Sequence, residues 1–106
     1  MDIEKLSWHD GILNEYNFDP NYGKENKITI HLSLYPEQIH SSESDSLQIV
    51  CSNIDWFKVD VNMNDLQENK FAGNINHGEV LGGLLRIELF GGDPLVKASK
   101  YTVTKL

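Results

Sequence analysis

Residues 84–90 constrain the fold of this chain more tightly than any other stretch, because they alternate in character and lie between two pairs of glycines. They read Leu-Leu-Arg-Ile-Glu-Leu-Phe, so Leu85, Ile87 and Leu89 share one parity while an arginine and a glutamate occupy the other. Successive side chains of an extended chain point to opposite faces, and the glycines supply the backbone freedom that tight turns need. We therefore predict a β-strand with one buried face.

Similar alternation elsewhere predicts about seven mainly antiparallel strands. The clearest runs from Ile28 to Leu34 and ends at Pro36, which has no N–H to donate. The other strands, given by their predicted inward-facing residues, are Ile12, Tyr16 and Phe18; Leu47, Ile49 and Cys51; Phe57, Val59, Val61 and Met63; Phe71, Gly73 and Ile75; and Val96, Ala98, Tyr101 and Val103. The last set changes parity once, so we expect a β-bulge near Ser99-Lys100.

The connections between these strands are short or turn-like. Asn53 and the tripeptide Asn76-His77-Gly78 are predicted to turn the chain, and the serine-rich residues 37–46 are predicted to form a surface loop. A chain of 106 residues buries roughly 60–70% of its unfolded surface, which is enough for one core without disulfides or metal. We predict a single all-β domain over residues 1–106, a meander forming a sandwich or a flattened barrel.

Charge is distributed unevenly along the chain. Residues 1–60 carry 11 acidic and 4 basic side chains, a balance of −7, whereas residues 61–106 carry 5 of each. This balance repels nucleic acid and suits a basic protein partner. No apolar run is long enough to span a membrane, the N-terminus lacks a secretory signal, and Cys51 has no cysteine to pair with. We predict a cytoplasmic protein.

The clustered Ser7-Trp8-His9-Asp10 suggests hydrolytic chemistry, but catalytic triads are assembled from separated segments and no nucleophile elbow is present. We expect Trp8 instead to pack over an open end of the core, with His9 and Asp10 bonding backbone at the start of the first strand. The histidines lack the spacing of a zinc signature, and Cys51 faces the core by parity. We predict no catalytic residues, metal or cofactor.

Several large apolar residues have the outward parity of their strands. Gathered on adjacent strands, such residues form a patch for a partner protein, a second sheet or a twin subunit in a homodimer to cover. Acidic side chains near them would favour a basic partner. The predicted partner-binding residues are Trp56, Asp60, Tyr35, Glu43, Asp45 and Phe90.

The opening Leu6-Ser7-Trp8-His9-Asp10-Gly11-Ile12-Leu13 resembles the start of several families of small bacterial proteins, some of which look like immunity proteins that neutralise polymorphic toxins. The resemblance extends to Ile54-Asp55 and to the ending Val96-x-Ala98-x-x-Tyr101-x-Val103. It implies an all-β fold and toxin binding without catalysis. Two other hypotheses remain open: a small-ligand or carbohydrate-binding module using Trp56, Tyr35 and His31, and a small hydrolase built on His9 and Asp10.

Overall fold

One antiparallel sheet contains nearly all of the regular structure. The computed structural model describes residues 2–20, 24–35, 45–60 and 73–106. After a 3-10 turn at Ile3–Lys5, the strands are β1 (Ile12–Asp19), β2 (Lys27–Leu34), β3 (Asp45–Lys58), β4 (Ile75–Leu81), β5 (Leu84–Leu89) and β6 (Leu95–Lys105). The all-β prediction is confirmed, and these described ranges contain six strands where about seven were expected for the whole chain. No helix in these residues has the length and apolar character needed to cross a membrane.

The strand order is β1-β2-β3-β6-β5-β4, so the chain does not follow one continuous meander. Two three-stranded meanders, β1-β2-β3 and β4-β5-β6, are joined by a ladder between β3 and β6 that extends from Leu47 opposite Lys105 to Lys58 opposite Leu95. β3 and β6 are the two longest strands. Their pairing therefore offers more backbone hydrogen bonds than a pairing of consecutive β3 and β4 would.

The sheet curls until its two outer strands meet at one end. The Asp10 N–H donates to the Ile75 carbonyl at 3.1 Å, the Ile75 N–H donates to the Gly11 carbonyl at 2.7 Å, and the Leu13 N–H donates to the Gly73 carbonyl at 2.9 Å. The result is a half-barrel. Of the two predicted architectures, the flattened barrel is therefore closer than the sandwich.

The core lies on the concave side and follows the predicted parity. Its clearest members are 7% exposed or less: Ile28, Ile30, Leu32 and Leu34 in β2; Leu47, Ile49 and Cys51 in β3; Leu85, Ile87 and Leu89 in β5; and Val96, Ala98 and Val103 in β6. Burying each large aliphatic side chain contributes about 1.5–3 kcal/mol. Alternation predicts these strands well because one face of each is fully covered.

β1 departs from its predicted parity. A register shift between Leu13 and Glu15 inserts an extra residue at Asn14, so Leu13 and Tyr16, rather than Ile12 and Tyr16, oppose inward-facing residues of β2. Leu13 and Tyr16 pack against the core, whereas Ile12 is 36% exposed. A bulge of this kind depends on strand pairing and leaves no period of its own in the sequence.

β3 merges two predicted strands into one. Asn53, expected to turn the chain, has a positive φ of 52° but remains inside the strand. The register against β6 then shifts between Ile54 and Trp56, in place of the bulge predicted near Ser99-Lys100. Phe57, predicted to be inward-facing, opposes buried Val96 yet is itself 37% exposed. Val61 and Met63 of the same predicted strand lie outside the described residues.

β4 contains the tripeptide that was predicted to be a turn. All three are strand residues: His77 and Gly78 pair with β5, and Asn76 is the extra residue of a register shift between Ile75 and His77. Gly78 has a packing role there, because the indole of Trp8 occupies the space that a side chain would need. Phe71 lies outside the described residues, as do residues 37–44 of the predicted loop, whereas Asp45 and Ser46 begin β3.

Candidate binding surface

The N-terminal segment closes one end of the half-barrel, as predicted for Trp8. Trp8 is 7% exposed and belongs to the core. His9 Nδ1 lies 3.3 Å from the Asn76 carbonyl oxygen, and the backbone N–H of Asp10 bonds to Ile75. The side chains of His9 and Asp10 are 73% and 76% exposed and 3.5 Å apart. Their arrangement orders the start of β1.

The most unusual surface lies at the end of β3, over residues 55–60, which we name the β3 arm. All six of its residues are exposed, including Trp56 at 48%, Phe57 at 37% and Val59 at 45%. Asp55 and Asp60 stand at its two ends. Consecutive exposure of large apolar side chains is unlike the scattered exposed hydrophobic residues of an ordinary surface, and it marks a candidate interaction site.

One backbone edge of the β3 arm is unpaired among the described strands. The β2–β3 ladder ends at Lys27 opposite Ser52. Asn26 then bonds both backbone groups of Ile54: its side-chain NH₂ donates to the carbonyl at 3.2 Å, and its side-chain oxygen accepts from the N–H at 2.7 Å. Beyond Ile54 the backbone partners of the arm in the described part of the chain are β6 and, at Asp60, the β5–β6 turn, both on the edge away from β2. An open edge of this kind can accept a strand from another protein.

An aromatic contact joins the arm to β1. The Phe57 ring lies 4.6 Å from the Phe18 ring and 6.3 Å from the Tyr16 ring, measured between centroids. Phe18 is itself 42% exposed. These three rings form one aromatic cluster where the arm contacts β1. Exposed Val59 lines the same depression as Tyr16.

A depression of about 360 Å³ lies beside this cluster. The Tyr16 hydroxyl is buried without a hydrogen-bond partner among the described residues, and its burial raises the pKa of the phenol above its ordinary value of 10.0. The surface of the depression is mainly apolar and offers few hydrogen-bonding groups to a polar ligand. Its lining residues are Leu13, Asn14, Glu15, Tyr16, Val59, Gly73, Leu89 and Pro94.

The predicted partner-binding residues divide between the two ends of the sheet. Trp56 and Asp60 belong to the β3 arm. Phe90, 58% exposed, lies in the β5–β6 turn, which is tied to the arm by a 2.7 Å bond from the Asp93 N–H to the Asp60 carbonyl.

The remaining predicted residues lie elsewhere. Tyr35 follows β2 and is half-buried, and Asp45 begins β3, where it pairs with Lys105 at 3.3 Å. Asp45 lies eleven positions before Trp56, at the opposite end of β3, and it is paired with Leu34, which precedes Tyr35. Tyr35 and Asp45 therefore lie at the end of the sheet away from the arm. Glu43 lies outside the described residues.

Sequence reasoning missed Phe18, Phe57 and Val59 as surface residues, because parity assigned all three to the inward face. Their side chains are on the inward side, but the arm extends past the end of β2, and no described strand covers the arm there. The adjacent Trp56-Phe57 pair carried no signal for them, since alternation requires only one of two neighbouring aromatic residues to face outward and Trp56 already met that requirement.

His31 lies on the polar face of β2, as predicted. Its Nδ1 is 3.0 Å from Glu15 Oε2 and its Nε2 is 3.0 Å from Gln48 Oε1. The hydrogen bond to Gln48, followed by the bond to Glu15, raises the pKa of the imidazole above its ordinary value of 6.5. Glu15 of β1, His31 of β2 and Gln48 of β3 form a hydrogen-bonded set across three strands. This set favours the protonated form of His31.

Cys51 is fully buried, and the loss of solvation raises the pKa of its thiol to about 12. The thiolate, which is the nucleophilic form, is therefore scarce at neutral pH. In the described ranges, no three His, Cys, Asp or Glu side chains are grouped as ligands of one metal ion would be. Comparison with known proteins finds no matching family model, curated protein or solved structure for this chain.

Proposed function

We propose that this protein is a non-enzymatic binding protein whose β3 arm docks a basic protein partner, as an immunity protein does with its toxin. One observation carries the proposal: six consecutive exposed residues include Trp56, Phe57 and Val59. Apolar surface left in water costs about 25 cal/mol per Å² relative to burial. A partner that covers the arm recovers that free energy.

The form of the arm supports a particular mode of docking. Its open backbone edge can donate and accept hydrogen bonds with an added strand, while side chains on both faces contact the partner. Trp56 faces away from the core, opposite Lys97, and Phe57 faces the seam with β1. A partner strand beside the arm would therefore meet an aromatic residue on each side. Tryptophan and tyrosine side chains are frequent anchors at such interfaces.

Charge indicates the chemistry of the partner. The chain carries a net charge of −7, and the arm itself carries −1, because Asp55 and Asp60 flank its apolar part and Lys58 lies between them. The overall negative charge attracts a basic surface before contact. Steering of this type raises association rate constants to on the order of 10⁸–10⁹ M⁻¹s⁻¹ at low salt, against roughly 10⁵–10⁶ M⁻¹s⁻¹ without it.

The test uses the basic proteins encoded next to this gene as candidate toxins. Each is co-expressed with the chain, and growth rescue is measured together with complex formation by the purified proteins. Trp56→Ala with Phe57→Ala should abolish both rescue and binding, mainly through faster dissociation. Leu81→Ala is the matched control, because Leu81 is 75% exposed but belongs to β4. Equal rescue by the double variant and the control would exclude the arm as the docking surface.

A second candidate function rests on the 360 Å³ depression, whose volume lies within the range of small-ligand sites. In this alternative, a small apolar molecule binds between Tyr16, Val59 and Leu89. The test lets a solvatochromic dye bind in the depression and measures the change in its fluorescence when an apolar competitor displaces it. Leu89→Asn should then abolish dye binding while Trp56→Ala leaves it unchanged, which is the reverse of the pattern expected for protein docking.

A further inference from the structure

A row of three side chains crosses the convex face of the sheet. Lys27 of β2 is paired with Ser52 of β3, and Ser52 is paired on its other side with Lys100 of β6. Their chain neighbours Ile28, Cys51 and Tyr101 face the core, so the row faces outward. Neighbouring strands place paired Cα atoms ~4.5–5.5 Å apart, which puts the two lysines roughly 10 Å from each other.

The row lies in a depression of about 510 Å³, separate from the one beside the β3 arm. Its lining combines ammonium groups with hydroxyl groups. Ser52 is only 5% exposed, and it is the one buried polar residue in the described part of the chain. Its strand neighbours Lys27 and Lys100 have long apolar stems, a type of side chain that can cover a small residue while its charged end stays in water. The residues that line the depression are Lys24, Glu25, Lys27, Val50, Ser52, Lys100 and Thr102.

The local charge is opposite in sign to that of the whole protein. Three of the 9 basic residues of a chain with net charge −7 lie at this one depression. Three lysines against Glu25 leave +2 in the lining, and Asp19, which is paired with Lys27 from β1, reduces the balance to +1. Both carboxylates have interaction partners of their own. The remaining positive charge is concentrated around Ser52.

We propose that this depression is a binding site for a tetrahedral oxyanion, a phosphate group, held between Lys27 and Lys100. The two ammonium groups supply charge-assisted hydrogen bonds, for which lysine is a frequent phosphate partner. The hydroxyl groups of Ser52 and Thr102 add neutral donors on the floor of the site. The proposal is independent of the β3 arm, because none of the arm's residues lines this depression.

The experiment titrates the ¹⁵N-labelled protein with inorganic phosphate and, separately, with phenyl phosphate, at constant ionic strength set by sodium chloride. We expect saturable, one-site shifts of the amide signals of residues 27, 52 and 100. Equal affinity for both probes assigns the site to a free phosphate ion. Tighter binding of phenyl phosphate assigns it to a phosphate ester whose remaining part occupies the depression. Shifts that do not saturate, or that chloride alone reproduces, would overturn the proposal.

Variants separate the site from general electrostatics. Lys27→Gln with Lys100→Gln should weaken phosphate binding at least about tenfold, because two charge-assisted bonds are lost. Lys5→Gln with Lys105→Gln makes the same change in net charge elsewhere and should alter binding less than about twofold. Lys27→Arg with Lys100→Arg retains both charges and should retain binding, which guards against a folding defect. Equal weakening by the two glutamine pairs would show that only net charge matters.

Discussion

The indole ring of Trp8 lies so close to Gly78 that a Cβ atom at residue 78 would come within 2.2 Å of the ring. This contact fixes the N-terminal segment across β4 and closes one end of the half-barrel. It also explains why a glycine occupies the middle of a strand, where it otherwise weakens the structure. The Trp8 ring occupies the space that a side chain at residue 78 would need, so only glycine fits at this position.

Gly78→Ala is therefore expected to destabilise the protein by about 1–3 kcal/mol, the usual cost of overpacking a filled site. Three ring atoms of Trp8 would lie 2.2–2.6 Å from the new methyl group, and the ring would have to move. Gly73→Ala is the matched control, because its nearest contact would be 3.4 Å, an ordinary van der Waals distance. Urea unfolding measures both. Equal midpoints for the two variants would contradict this account of the contact.

Replacing Ile87 with alanine should cost about 2–5 kcal/mol, because the residue is 1% exposed and the cavity left behind cannot fully collapse. Glu88→Ala, one position along β5, should cost less than about 1 kcal/mol. Glu88 accepts a bond from Asn76 at 2.8 Å, but its side chain is 37% exposed. Chemical denaturation of the two variants compares the inner and outer faces of one strand. Similar losses would mean that the two faces are not distinct.

Tyr16 and Tyr101 should respond oppositely to loss of the hydroxyl. Tyr101 donates to the Gly83 carbonyl at 2.6 Å or the Val96 carbonyl at 2.9 Å and accepts from the Ala98 N–H at 3.2 Å. Tyr101→Phe removes these bonds, although the Ala98 N–H and the Gly83 carbonyl keep the 3.1 Å bond that joins them, and it should cost about 0.5–1.5 kcal/mol. Tyr16→Phe removes a buried hydroxyl that has no partner in the described part of the chain and should be neutral or stabilising. Thermal unfolding tests the sign, and destabilisation by Tyr16→Phe would reveal an unrecognised partner.

The His31 imidazole should titrate above its ordinary pKa of 6.5 in the folded protein, because Gln48 and Glu15 both favour the protonated form. Since the folded-state pKa is the higher one, the resulting stability is fully present below about pH 6.5. It is lost as pH rises through the folded-state pKa.

An NMR titration of the ring protons measures the His31 pKa directly. Gln48→Leu and Glu15→Gln should each lower it, with the larger change expected for the Gln48 variant because that bond is the larger cause of the shift. An unchanged His31 pKa in both variants would show that Gln48 and Glu15 do not stabilise the protonated imidazole.

Local sequence pattern was sufficient to predict the strands that have one completely buried face. β2 and β5 carry period-two patterns from end to end, and their inward residues are buried as predicted. The position of Trp8 over the open end of the core was also predictable, since a large aromatic residue just before the first strand has few other places to pack. These inferences depend on local spacing, because side-chain direction in a strand follows from backbone geometry alone.

The tertiary structure decided everything that depends on which strands pair and in what register. The pairing of β3 with β6 shifts register between Ile54 and Trp56, and that strand's exposed end became the β3 arm although parity predicted Phe57 and Val59 to be buried. Trp56 and Asp60 were predicted as site residues, but the length of β3 separates them from Asp45.

The Lys27–Ser52–Lys100 row also depends on strand pairing and register. Its outer members lie 73 positions apart in the sequence, and only two ladders in fixed register bring them to either side of one serine. A shift of one residue in either ladder would turn the affected side chains to the opposite face. Register is set by the packing of the whole core, so no local pattern in the chain could have located this row.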